Sequence, residues 1–173
     1  MAEVKPTATR WLTDSEQEVW RSLLGVTRLL FSQCDRELLE ESGIPIGYYP
    51  ILVLLSEAPD RAMRMSDLAE ATKSLPSSIS HAVGKLEADG WVERRHCSED
   101  RRVWFAALTD VGFAALERAA PLHVESVRKH LFDLLTREQV DQLDTICNVL
   151  LAQFGDETKT VCPGSGSDCA VET

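Results

Sequence analysis

No apolar run in this chain approaches the roughly 18 residues that a bilayer-spanning helix needs. The first residues, with Glu3, Lys5 and Pro6, lack the apolar core of a secretion signal, so a cytoplasmic protein is expected. Five cysteines (Cys34, Cys97, Cys147, Cys162 and Cys169) include no C-x-x-C pair, which argues against a zinc site. Their odd number suits reduced thiols better than a disulfide framework. Acid/base pairs, nucleophile motifs, metal-ligand spacings and phosphate loops are also missing, so an enzyme is not expected, nor any cofactor or metal. No internal repeat is visible.

Positive charge is scarce too: the formal net charge is −10. That balance looks wrong for a partner of nucleic acid, since phosphate contacts require lysine and arginine. The distribution qualifies it. Between Arg61 and Leu108 eight lysines and arginines face seven acids, a net +1, so −11 falls on the remainder. Cations clustered at a few spots suit docking by shape better than generic polyanion binding.

What is present is helical periodicity, interrupted once. Apolar residues from Val19 to Phe31 recur at three- and four-residue intervals behind a Thr13/Glu16 capping box, and Ser42-Gly43 provides a stop. A short buried helix is expected over Tyr48–Glu57, with Pro50 in its first turn. Two more short helical patterns follow, Met65–Thr72 and about Pro76–Asp89, the second closed by Gly90. Trp91–Cys97 and Val103–Leu108, rich in aromatic and β-branched residues, flank the polar stretch 98–102 and read as a β-hairpin with a charged tip. Thr109 caps a long helix, kinked at Pro121 and running to Leu135. A Thr136/Gln139 capping box opens the last helix, whose Val140, Leu143, Ile146, Leu150 and Leu151 share one face. Residues 1–12 read as an arm and 155–173 as a disordered tail.

Two short helices joined by a tight turn and followed at once by a hairpin make a winged helix-turn-helix. The fold class expected is therefore mainly α with a small β-hairpin wing. Where the two helices cross, Ala69 supplies the small residue and Ile79 the branched one, with Leu86 continuing the buried side. Ser77, Ser78, Ser80 and His81 are left exposed near the second helix's start, with Lys85 a turn further on. Small hydroxyls there let a helix approach base edges and phosphates, although serines at a helix start also serve simply as caps. The Asp100-Arg101-Arg102 tip reads either as an aspartate orienting an arginine for a narrow minor groove or as a solvated turn of alternating charges. Arg94 and Arg95, on the preceding strand, are placed to reach flanking phosphates.

Over about Thr13 to Phe154 the chain resembles MarR-family transcriptional regulators. The resemblance is carried by Gly43-Ile44, Leu68-Ala69, Pro76-Ser77-Ser78-Ile79-Ser80, Leu86 with Gly90, and Asp100-x-Arg102 leading to Leu108-Thr109 and Gly112. The stretches 64–69 and 123–128 are similar to an actinobacterial branch. One departure stands out: the family usually has glycine in the inter-helix turn, where this chain has Lys73-Ser74, so the turn either avoids a left-handed residue or carries strain.

The resemblance implies a homodimer held by helices at about 13–42 and 110–154, with the winged helix-turn-helix at about 46–108 between them. Such a dimer binds double-stranded DNA at a pseudo-palindrome with half-sites 10–10.5 base pairs apart, most often as a repressor. A small phenolic or carboxylate ligand, bound between the dimerisation helices and the winged domain, would release it. Trp20, Arg28, Tyr48 and Tyr49 are candidates to line that site, or else pack the core. Two alternatives stand beside this reading. One is a thiol-based redox sensor, although the reactive cysteine of the family's peroxide sensors falls near Arg21 here. The other is a winged-helix protein-interaction module that does not touch DNA.

Overall fold

The computed structural model describes residues 9–97, 100 and 102–154. The expected tail at 155–173, most of the arm, and Arg101 at the hairpin tip lie outside the described residues, as do Cys162 and Cys169. In chain order the elements are α1 (Asp14–Ser42), α2 (Tyr49–Glu57), β1 (Ala62–Arg64), α3 (Met65–Ala71), α4 (Pro76–Ala88), β2 (Val92–His96), β3 (Trp104–Leu108), α5 (Asp110–His130) and α6 (Arg137–Ala152). No helix among the described residues is long and apolar enough to cross a membrane.

The helix starts follow the local chemistry read from the sequence. Thr13 caps α1 with the reciprocal Glu16 bond, Thr136 caps α6 with Gln139, and the Thr109 hydroxyl accepts the Gly112 N–H. Gly43 ends α1 at φ 76°, a left-handed conformation that glycine adopts without a Cβ clash. Three features differ from expectation. A third strand, β1, pairs antiparallel with β3, giving the order β1-β3-β2. At three residues, β1 is too short to leave an alternation signal. The long helix, with Pro121 inside it, ends at His130 and gives way to a 3-10 turn, Phe132–Leu134, short of Leu135. Of the two outcomes left open for the Lys73-Ser74 turn the strained one holds, with Lys73 left-handed at φ 54°. Cys97 is disulfide-bonded, not reduced, whereas Cys34 and Cys147 are free thiols.

One core serves the winged domain. Ile51, Leu52 and Leu55 of α2, Leu68 and Ala69 of α3, Ile79, Val83 and Leu86 of α4, Val92 and Leu108 of the hairpin, and Ala115, Leu116 and Ala119 of α5 form a single buried cluster. Ala69 and Ile79 both lie in it, as their sizes require where α3 crosses α4.

Leu38 brings α1 into this cluster, and a polar hub beside it fastens α1 to α5. Ser126 Oγ donates to Glu37 Oε2 at 2.6 Å, His130 Nε2 lies 2.9 Å from Oε1, and Gln33 Nε2 donates to Oε1 at 2.6 Å. These bonds, Ser126's foremost, hold the Glu37 carboxyl down to about 2. A carboxylate depressed in the folded state stabilises above its unfolded value, near 4.5, and loses that contribution as the pH falls through about 2. Glu37→Gln should therefore cost about 1–3 kcal/mol at pH 7. In denaturant unfolding, the gap to the parent should narrow steadily from about pH 5 to pH 2. A gap independent of pH would mean that the ionised carboxylate is not what joins the helices.

Candidate DNA interface

Pro76 opens α4 in its first turn, and Leu75 occupies the N-cap position without a side-chain bond. The serines are thus inside the helix and do not cap it, which removes the structural reason for having them there. Ser77, Ser78, Ser80 and His81 are exposed, as is Lys85, while Ile79, Ala82, Val83 and Leu86 on the opposite side are buried. Within the chain, none of the three serine hydroxyls, the His81 ring or the Lys85 ammonium has a hydrogen-bonded or ionic partner among the described residues. The first-turn N–H groups of an uncapped helix are unsatisfied donors beside the positive end of its dipole, suited to a phosphate.

At the tip, Arg102 and Asp100 form a forked pair. Arg102 donates from its backbone N–H at 2.9 Å and from Nε at 3.1 Å to Asp100 Oδ1, and from Nη2 at 3.1 Å to Oδ2. Those bonds hold the Asp100 carboxyl below the usual carboxylate range. The Arg102 side chain is 91% exposed. Ion pairs so open to water contribute little to stability. What the fork does is restrict the direction of a long cation that would otherwise sample many rotamers, as a minor-groove probe requires.

The neighbouring strand behaves differently from the sequence reading. Arg94 Nη2 donates 2.7 Å to the Ser80 carbonyl of α4, and its Nη1 lies 3.6 Å from Glu87 Oε2. Its guanidinium is turned inward as a staple between wing and helix. A Cβ on Gly84 would come within 3.4 Å of Arg94 Nη2, so the glycine leaves that path open. Gly84 was the available signal, since a glycine inside a helix costs about 1 kcal/mol unless its space is needed. Arg95 is paired with Glu93. Three arginines therefore each hold one acid of this region, which lessens the repulsion a duplex would meet there.

The four candidate ligand residues do not come together in one chain. Tyr48 and Tyr49 are half-buried against the core, and the Tyr49 ring lies 4.2 Å from that of His123 on α5. Trp20 and Arg28 are exposed on α1. Ile46 N donates to Asp35 Oδ1 at 2.8 Å, which fastens the tyrosines' loop near the far end of that helix. At 1.5 Å per residue, Trp20 is roughly 22 Å along α1 from Asp35.

A sequence profile of the MarR family matches residues 42–103. Sco3205, a MarR family transcriptional regulator from Streptomyces coelicolor solved in complex with DNA, superposes with a TM-score of 0.81 at 44% identity, covering 86% of this chain and 97% of its own. AbsC, a MarR family transcriptional regulator from the same organism, gives 0.80 at 43% identity, with 85% and 99% covered. The repressor YetL of Bacillus subtilis is 34% identical over 85 residues, 49% of this chain and 51% of its own length, so the chain spans about half of that relative. The regulator BilQ of Clostridium symbiosum is 32% identical over 117 residues, 68% of this chain and 78% of its own.

If Arg94 is a staple, Arg94→Ala should lower the thermal midpoint of the free protein by several degrees, because a charge-assisted bond is removed and Glu87 is left without its partner. An unchanged midpoint with weakened DNA binding would return Arg94 to the phosphates.

Proposed function

Because the chain belongs to the MarR family of transcriptional regulators, we propose that it binds a pseudo-palindromic DNA operator as a homodimer, acts as a repressor, and is released by a small molecule. Its family consists of regulators, and the chain is not an enzyme. The observation that carries the DNA reading is the pairing of a polar face on α4, its side chains unpartnered among the described residues, with an arginine aimed outward by Asp100. In this reading Ser77, Ser78, Ser80, His81 and Lys85 meet the major groove and its phosphates, and Arg102, with Arg101 beside it, enters the minor groove.

The dimer is supported by what one chain leaves uncovered. Trp20, Leu23, Leu24, Val26 and Phe31 of α1 are exposed, and α6 buries no residue against its own chain while exposing Ile146, Val149 and Leu150. An apolar stripe of that extent on two helices needs a partner, and a two-fold interface with a second copy provides one. Ligand release is supported by the Tyr49–His123 contact at the α2–α5 junction. Among the described residues, the buried His123 Nδ1 has no hydrogen-bond partner, and burial lowers the His123 pKa, favouring the neutral ring. A neutral imidazole against the Tyr49 ring suits a phenolic or carboxylate compound.

Binding isotherms at several salt concentrations, on operators changed one base pair at a time, separate the two DNA contacts. Arg102→Ala should weaken every operator variant and reduce the salt slope by about 0.9 for each phosphate left unneutralised, or about 1.8 per dimer. His81→Ala should cost roughly 1–3 kcal/mol per base-edge hydrogen bond and relax discrimination at one base pair in each half-site. Parental affinity and slope for Arg102→Ala would show that the wing does not enter the groove.

A further inference from the structure

His96 and Trp104 are direct cross-strand partners at the outer end of the β2–β3 ladder. Their rings stack with centroids 3.6 Å apart and planes tilted by 38°. His96 is exposed and Trp104 is 42% exposed, and neither belongs to the two buried clusters found among the described residues. The hairpin's core does not need this tryptophan. An exposed indole supported from beneath by a second ring is a rigid, mostly apolar surface held ready at little entropic cost.

Its direction follows from the pleat. Residues two apart on a strand share a face, so His96 and Trp104 share theirs with Val92, Arg94, Ala106 and Leu108. Val92, Ala106 and Leu108 are buried in the cluster that contains Val83 and Leu86 of α4, and Arg94 bonds the Ser80 carbonyl. The aromatic pair therefore continues the helix-facing side of the wing outward, past the last residue that α4 covers. Arg102 stands two residues beyond Trp104, roughly 7 Å of strand. The other face of the hairpin is filled by Phe105, Ala107 and Cys97 with Ala62 of β1.

We propose that this pair is a third DNA contact, an aromatic platform that lies against the sugar–phosphate backbone separating the groove read by α4 from the groove entered by Arg102. The proposal rests on the DNA-binding reading above, since that reading sets which grooves lie on either side. Whatever bridges a major-groove helix and a minor-groove arginine on one hairpin must face the intervening strand, whose deoxyribose rings present apolar C–H surfaces between phosphates. Trp104 supplies the matching apolar face, and a His96 ring N–H supplies a donor for a phosphate oxygen. Arg102, two residues further toward the tip, gives the surroundings the charge that such an occupant requires.

Full-length Trp104→Ala and Trp104→Thr proteins, the latter a good strand former, are titrated with the selected operator beside Arg102→Ala. Both tryptophan variants should bind every operator variant about tenfold more weakly with the salt slope unchanged, because an apolar contact releases no counterion. Trp104→Phe should retain most of the affinity. In the unaltered protein, hydroxyl-radical oxidation of Trp104 should fall several-fold when operator is added. Parental affinity in both variants, or unchanged labelling at saturating operator, while Arg102→Ala still weakens binding, overturns the platform and leaves the DNA reading standing. A parent protein that selects no duplex overturns both.

Discussion

The geometry of the reading head depends on a close approach at the base of the wing. Thr109 Oγ1 donates to the Gly90 carbonyl at 2.7 Å, Thr109 N donates to the Trp91 carbonyl at 3.0 Å, and the same hydroxyl accepts Gly112 N at 3.0 Å. The turn after α4, the end of β3 and the start of α5 meet in that one joint. There is no room in it: a Cβ on Gly112 would lie 2.1 Å from the Trp91 carbonyl oxygen. Only glycine lets α5 begin there, and backbone that close cannot slide without breaking several bonds together. Helix α4, the wing and α5 therefore behave as one body, with the Arg94 staple as a second tie between helix and strand.

That rigidity joins the proposed chemistry at the two ends of the molecule. α5 carries Ser126 and His130 to the Glu37 hub on α1, so the elements that expose apolar surface are coupled to the head by fixed contacts. A ligand at the Tyr49–His123 contact would press on the same helix. Any change it made in the angle of α5 would reappear as a change in the distance between two heads, which a fixed half-site spacing does not tolerate.

Much of this was legible in the chain because it is written in local chemistry. Capping boxes, the glycine after α1 and the small-to-branched pair Ala69 and Ile79 each act within a few residues or across one helix crossing. The Asp100–Arg102 fork could be read for the same reason, its partners being two positions apart. What escaped depends on contacts distant in sequence. The Ser80 carbonyl that engages Arg94 is fourteen residues away, and the Ser126 hydroxyl on Glu37 is eighty-nine away. Strand β1 has too few residues to show a period. The Lys73-Ser74 turn did register as a departure from the family's glycine, and Lys73 accepts the left-handed conformation itself, at a cost of order 1 kcal/mol that the packed α3–α4 pair sustains.

The central claim is that two such heads, held at a fixed separation by a homodimer, read one duplex. Selection of bound fragments from a pool of randomised duplexes, with the stoichiometry of the purified complex determined by light scattering, tests it most directly. The expected result is enrichment of an inverted repeat whose half-sites are centred about one helical turn, 10–10.5 base pairs, apart, with two chains on each duplex. Recovery of no preferred sequence, or of a single unrepeated site bound by one chain, would contradict it.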